Sequence, residues 1–166
     1  MKRRILTALL CVILVAATLI APVSASAASS RKKIEILQVT VDGARVRSGP
    51  SSAYEVLTSV KKGSKVFYLD KQKNSFCRVR TAYGTVGYMY RGFLKSYGAA
   101  YKDQIYYCKS RNIKVYKKAS TGSKRVTTLS KGQHVIVYQT KGSWAYIKTL
   151  GGKGGYVKKS ALKKAS

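Results

Sequence analysis

The sequence predicts an all-β chain made of two tandem copies of one small unit, and three observations carry that prediction. The first is an internal repeat. Val46, Gly63 and Val66 recur as Val115, Gly132 and Val135 at a constant interval of 69 residues. Past one hairpin turn the interval becomes 68, so that Phe76, Val79, Gly87, Tyr88 and Leu94 recur as Trp144, Ile147, Gly155, Tyr156 and Leu162. An offset that slips by one residue inside a loop is what duplicated domains produce. The second observation is a set of short runs rich in strand-favouring residues, such as Ile36–Val41, Lys65–Leu69 and Val135–Tyr138. The third is the spacing of turn residues at short intervals, with no sustained helical period after residue 27. Short strands between such turns form a small barrel or a sandwich.

The elements follow in order. Lys2-Arg3-Arg4, an apolar run from Ile5 to Ala21, Pro22 and the small residues Ala25-Ser26-Ala27 read as a secretory signal peptide over residues 1–27. An uncleaved anchor is the alternative, because the run approaches the length of a spanning helix. Residues 28–33 form a basic, mobile arm. The first unit covers 34–97: strands at Ile36–Val41 and Ala44–Arg47, a loop at Ser48-Gly49-Pro50-Ser51, a break at Lys62-Gly63, strands at Lys65–Leu69 and Phe76–Arg80, and a last strand at Val86–Met89. Residues 98–102 bridge to the second unit, 103–164, which repeats the same order. A unit of this size buries only about 60% of its unfolded surface. Docking of the two units would help each, and independent beads on the bridge are the alternative.

The charge balance is one-sided, with 33 Lys and Arg against 5 Asp and Glu, a net +28. Loss of the signal peptide leaves +25 and no stable membrane anchor. Such a surface attracts polyanions, whether nucleic acid, anionic lipid or an anionic cell-wall polymer. The second unit is the more basic, and Lys117, Lys118, Lys124, Arg125, Lys158 and Lys159 are its candidate polyanion-binding residues.

Catalytic groups are sparse. Hydrolysis needs a nucleophile with its base, two carboxylates or a metal site. The only His, His134, corresponds to Lys65 in the repeat and reads as a surface imidazole. The acids Glu35, Asp42, Glu55, Asp70 and Asp103 are scattered, and Asp42 and Asp70 sit at turns. No catalytic residue, metal site or cofactor is expected, and the chain reads as a non-enzyme. Cys77 shares a strand face with Val79 and Cys108 corresponds to Val39, so the two read as small core residues of different units; a disulfide between them is the alternative.

Val46-Arg47-Ser48-Gly49-Pro50-Ser51, the Val56-Leu57 pair, Lys62-Gly63 with Val66, the aromatic Phe76 and Gly87-Tyr88 resemble bacterial SH3 domains. Lys131-Gly132, Ser143-Trp144 and Gly155-Tyr156-Val157 stand in the same places of a more diverged copy. The resemblance implies two tandem SH3-like half-open barrels of five to six strands each. It also implies a binding module of exported bacterial proteins, extracellular or associated with the cell wall, that contacts peptidoglycan. The second copy departs at its loop, where Tyr116-Lys117-Lys118-Ala119 carries neither Gly nor Pro.

Aromatic residues supply the candidate ligand contacts, since a flat face with a polar tip suits sugars and peptides alike. Tyr54, Phe76, Tyr88 and Tyr90 beside Arg47 are the candidates in the first unit; Tyr116, Trp144 and Tyr156 are those in the second. Trp144 follows a turn and lies on the strand face opposite Ile147. Core packing is the competing role for each aromatic, and Tyr68 beside Val66 and Tyr138 beside Ile136 read as core residues. The expected partner is therefore cell-wall peptidoglycan or an anionic wall polymer. General polyanion binding to nucleic acid, glycosaminoglycan or anionic membrane, and capture of another exported protein at a strand edge, are the alternatives.

Overall fold

The computed structural model describes residues 31–71 and 74–165. The expected signal peptide and the first residues of the arm lie outside the described residues. Two seven-stranded antiparallel sheets follow each other along the chain. In the first, β1 (Lys33–Val39), β2 (Ala44–Arg47), β3 (Val56–Val60), β4 (Lys65–Lys71), β5 (Phe76–Arg80), β6 (Val86–Tyr90) and β7 (Leu94–Tyr101) are arranged β3-β2-β6-β5-β4-β1-β7. In the second, β8 (Ile105–Cys108), β9 (Ile113–Tyr116), β10 (Arg125–Leu129), β11 (His134–Lys141), β12 (Trp144–Thr149), β13 (Gly154–Lys158) and β14 (Leu162–Lys164) take the identical order, β10-β9-β13-β12-β11-β8-β14. Each sheet curls around its own core, and its two end strands do not pair with one another among the described residues. The repeat read from the sequence is thus a repeat of half-open barrels.

Seven strands, rather than five to six, arise because the chain turns back after Arg91–Phe93 and runs along β1 from Val39↔Leu94 to Lys33↔Tyr101. Residues 98–101, expected only to bridge the units, belong to this strand, and Ala100 is buried. The expected arm is likewise engaged at its end: Lys33 opens β1, the Lys102 amide donates to the Lys32 carbonyl at 2.8 Å, and Arg31 pairs with Asp103 at 2.7 Å. The hydrogen bonds from Arg31 hold the Asp103 carboxyl below its ordinary range.

Alternation along the strands sets the cores. Leu37, Val39, Val46, Val66, Cys77, Val79 and Met89 fill the first barrel. Cys108, Val115, Leu129, Val135, Ile147 and Val157 fill the second. Cys77 and Cys108 are free thiols in separate cores, and burial pushes both up to about 11.

Two glycine pairs explain the repeat. Gly63 and Gly132 take φ of 82° and 76°, a left-handed turn in which their amides donate to Val39 and Cys108 at 2.8 and 2.9 Å. Gly87 and Gly155 are held by close approach instead. A Cβ on Gly87 would lie 2.5 Å from the Arg47 carbonyl oxygen, and one on Gly155 would lie 2.6 Å from that of Tyr116. Only a residue without a side chain lets β6 cross β2, and β13 cross β9, at this distance.

The two barrels dock. Ile36, Phe67 and Ala100 of the first pack with Ile105, Ile136, Leu150 and Ala165 of the second in a third apolar cluster. The strands involved bury both faces: on β4, Val66 points into the barrel and Phe67 into the junction, and on β11 Val135 and Val137 flank Ile136 in the same way. His134 lies in this junction and is buried, contrary to the surface position expected from its counterpart Lys65. Its amide donates to the Ala82 carbonyl at 2.8 Å, its Nδ1 donates to the Gly132 carbonyl at 3.0 Å, and its ring meets the edge of Phe67 at 6.1 Å. Burial, and then the charge of Arg80, lower its pKa. Tyr138 departs from expectation in the opposite sense. It shares the face of Ile136, but that face leaves the junction past the bulge between Val137 and Gln139, and Tyr138 is half exposed.

Two outcomes are expected. Gly155→Ala lowers stability in urea unfolding by about 1–3 kcal/mol, the usual cost of overpacking, whereas Gly98→Ala, where a Cβ meets nothing within 4 Å, leaves the midpoint in place. His134 folds neutral, so the unfolded chain binds the proton more readily and stability is lost as the pH falls below the ordinary imidazole value of about 6.5. Thermal unfolding between pH 8 and pH 5 should show a decline that His134→Gln removes.

Candidate functional site

The first barrel carries an open groove of about 660 Å³ between the β1–β2 turn and the ends of β5 and β6. Its aromatic side is Phe76, Tyr90 and Phe93. The Tyr90 ring meets Phe76 edge-on at 5.8 Å and Phe93 at 5.1 Å. Tyr90 and Phe93 are brought together by the single 3-10 turn Arg91–Phe93, in which side chains three apart eclipse. Across from them stand Arg45 and Arg47 of β2, with Val41 and Asp42 at the turn. The Asp42 carboxylate accepts the Lys62 amide at 3.0 Å, which pins that end of the groove.

Of the residues expected here, Arg47, Phe76 and Tyr90 line the groove. Tyr88 pairs with Arg47 across β6–β2 and is half-buried. Tyr54 belongs to the neighbouring loop. Its ring covers Gly49 so closely that a Cβ there would lie 2.4 Å from it, while the Arg47 Nη1 donates to the Tyr54 carbonyl at 2.6 Å and the Ser48 amide to the Glu55 carbonyl at 2.9 Å. This accounts for the glycine of the Arg47–Pro50 run. In the second barrel the corresponding loop closes through Lys117 to Lys124 at 2.8 Å and through the Lys118 amide to Ser123 Oγ at 2.9 Å. Ser123 stands where Tyr54 does, so no glycine is needed opposite it. Phe93 and Arg45 were not among the expected residues. The spacing of Tyr90 and Phe93 around a Gly-containing turn is the signal for Phe93.

The matching place in the second barrel is occupied by the protein itself. Trp144 replaces Phe76, and Lys158 replaces Tyr90 with its Nζ 4.2 Å from the indole centroid. The Tyr116 ring closes on Trp144 edge-on at 5.8 Å and 87°. Lys158 Nζ also donates to Ser143 Oγ at 3.4 Å. Trp144 is on the face opposite Ile147, as expected, yet it is only 9% exposed beneath this cover. Tyr156 pairs with Tyr116 in the ladder and meets Tyr146 edge-on at 5.2 Å. Lys117, Lys118, Lys124 and Arg125 are exposed on the β9–β10 hairpin, with Arg125 opposite Tyr116; Lys158 and Lys159 are exposed where β13 ends. Among the described residues, no group of three or more His, Cys, Asp or Glu is placed to hold a metal ion.

The bacterial SH3 domain family matches the chain twice, over residues 42–95 and 111–163. The chain belongs to this family. Each match opens at the β1–β2 or β8–β9 turn and takes in the groove or its covered counterpart. No curated protein matches. Among solved structures, the chain is similar to NlpC2 from Trichomonas vaginalis (15% identity, 80% of this chain and 48% of that one, TM-score 0.33). It is similar also to NlpC1 from the same organism (18% identity, 84% and 49%, TM-score 0.33). An NlpC/P60 family protein from Bacillus cereus ATCC 10987 matches at 12% identity over 80% of this chain and 56% of that one, with a TM-score of 0.34. The chain spans about half the length of these proteins.

Trp144 is the sole tryptophan, so its cover can be read directly. Lys158→Ala should shift indole emission to the red and raise acrylamide quenching about twofold or more, because the ammonium and its stem shield the ring face. Unchanged quenching would mean that Tyr116 alone covers the ring.

Proposed function

We propose that the protein is an exported, non-catalytic binding protein of the bacterial cell wall. The first barrel takes peptidoglycan stem peptide or glycan in the groove of Phe76, Tyr90 and Phe93, and the basic second barrel holds phosphate-rich wall polymer. The observation that carries this reading is the contrast between two barrels of one family: the same aromatic position is open in the first and covered by Lys158 in the second. An apolar groove with few convergent polar groups is the usual form of a small-ligand site. Arg45 and Arg47 add planar donors that match carboxylates of a wall peptide.

The absence of catalysis in this proposal rests on where the reactive groups lie. His134 is buried with its Nδ1 engaged to a backbone carbonyl, and both core thiols are pushed up to about 11. Asp42, Asp70 and Asp103 hold a backbone amide, Arg78 and Arg31. A second reading, general polyanion binding outside the cell, is favoured by the net charge of +28 alone.

Co-sedimentation with purified sacculi separates the two. The groove reading expects Phe76→Ala with Tyr90→Ala to weaken binding at least about tenfold, the equivalent of about 1.4 kcal/mol, and expects the wild type to hold at 0.3 M salt. Binding that collapses with salt and is matched on heparin or DNA belongs to counterion release and the second reading.

A further inference from the structure

The junction between the barrels has an approximate two-fold relation, because Ile36 and Phe67 of the first barrel meet their own repeat counterparts, Ile105 and Ile136. Such a relation produces two equivalent clefts, one on each side of the apolar cluster. They have diverged. On one side Tyr83 and Gly84 of the β5–β6 turn close against Gly132 and His134: the His134 ring is 3.3 Å from a Cβ placed on Gly84, and the Tyr83 carbonyl 3.5 Å from one placed on Gly132. On the other side the residues equivalent to Tyr83 and His134 are Gly151 and Lys65. The clefts differ in lining rather than in size: the first holds about 320 Å³ beside Arg80, Tyr83, Tyr107 and His134, and the second about 340 Å³, within the range of about 300–1,000 Å³ usual for small-ligand sites.

Its make-up points to a ligand class. The floor is apolar, formed by Ile36, Ile136 and Leu150, all buried. Two tyrosines from different barrels stand at its sides, Tyr97 at 56% and Tyr138 at 51% exposure. Their repeat counterparts, Ala165 and Leu69, pack into the junction, and the other cleft carries Tyr83 and Tyr107 at different places. Lys148 lines the cleft with its Nζ 5.5 Å from the Tyr138 centroid, and Lys65, outside the lining, holds its Nζ 4.8 Å from that of Tyr97. Among the described residues, no carboxylate lines the cleft. Flat rings with polar tips accept the C–H face of a sugar, and the Lys148 ammonium accepts its charge.

We infer that this inter-barrel cleft binds an anionic saccharide, at a site separate from the groove of the first barrel. One lining lysine beside an apolar floor fits a single charged sugar unit better than a polynucleotide, whose phosphates would need a continuous basic track. The site exists only in the tandem chain, since each barrel supplies one tyrosine and part of the floor.

Calorimetric titration of the full chain with tetragalacturonate, a soluble anionic saccharide, tests the assignment, with maltotetraose as the neutral probe and a thymidine tetranucleotide as the anionic probe without a pyranose ring. Tetragalacturonate should bind at least about tenfold more tightly than either, a difference within reach of one charge-assisted contact. Tyr97→Ala with Tyr138→Ala should weaken it about tenfold or more; both side chains are half exposed, so the fold is spared. Phe76→Ala should leave it unchanged, which keeps this site distinct from the groove. Equal binding of the neutral or the nucleotide probe, indifference to the two tyrosines, or loss of binding in Phe76→Ala would overturn the inference.

Discussion

The structure depends on strands that bury both faces. A half-open barrel of this size has too little interior to be well stabilised alone, and its β1–β4 face is apolar outside as well as inside. Ile36 and Phe67 point away from the first core, and Ile105 and Ile136 point away from the second. Joining these faces removes from water the surface that neither barrel can cover. It also fixes what remains available for binding. The groove of the first barrel and its covered counterpart open on β2, β5 and β6, or β9, β12 and β13, away from the junction strands.

Duplication followed by local divergence explains most of the functional geometry. The backbone constraints are kept: Gly63 and Gly132 hold the same left-handed turn, and Gly87 and Gly155 permit the same strand crossing. Side chains that do not serve the fold have changed in groups. Tyr54 and Gly49 form one such group, for the ring requires the missing side chain; Ser123 and Lys118 replace both together. Tyr90 and Phe93 have become Lys158 and Ala161, which turns a groove into a covered tryptophan. Each change is confined to one contact, so the barrel tolerates it.

The fold was legible because its signals are local or periodic. The repeat interval, its slip within the β4–β5 hairpin, the shared face of Cys77 and Val79 and the glycine turns all follow from chain geometry that a sequence displays. The apolar run Val66–Leu69 was legible as a strand. Its second buried face was not, because periodicity alone does not separate a core strand from one that also docks. The reading of His134 failed for the same reason. The two-fold junction places His134 and its counterpart Lys65 on opposite sides, whose clefts are lined by different residues. Trp144 was assigned to the correct strand face, but its cover is supplied by Lys158 and Tyr116, which only the ladder brings beside it. In the groove, Arg47, Phe76 and Tyr90 could be named from the repeat, whereas Phe93 needed the 3-10 turn.

The charge pattern gains meaning from the same geometry. Of the few acids, Asp103 is held by Arg31, Asp70 pairs with Arg78 at 3.6 Å, and Asp42 caps the turn before β2 by accepting the Lys62 amide. These carboxylates serve the structure and offer little general neutralisation to a chain of +28. Lysines placed over aromatic rings, at Tyr97, Tyr138 and Trp144, are partly accommodated by the ring quadrupoles without being neutralised. An anion arriving at such a lysine gains a cation already oriented and partly desolvated by its ring. In the proposed reading the basic surface is more than a solubilising coat: where its charges lean on aromatic faces beside a cleft, attraction at long range would become recognition at short range.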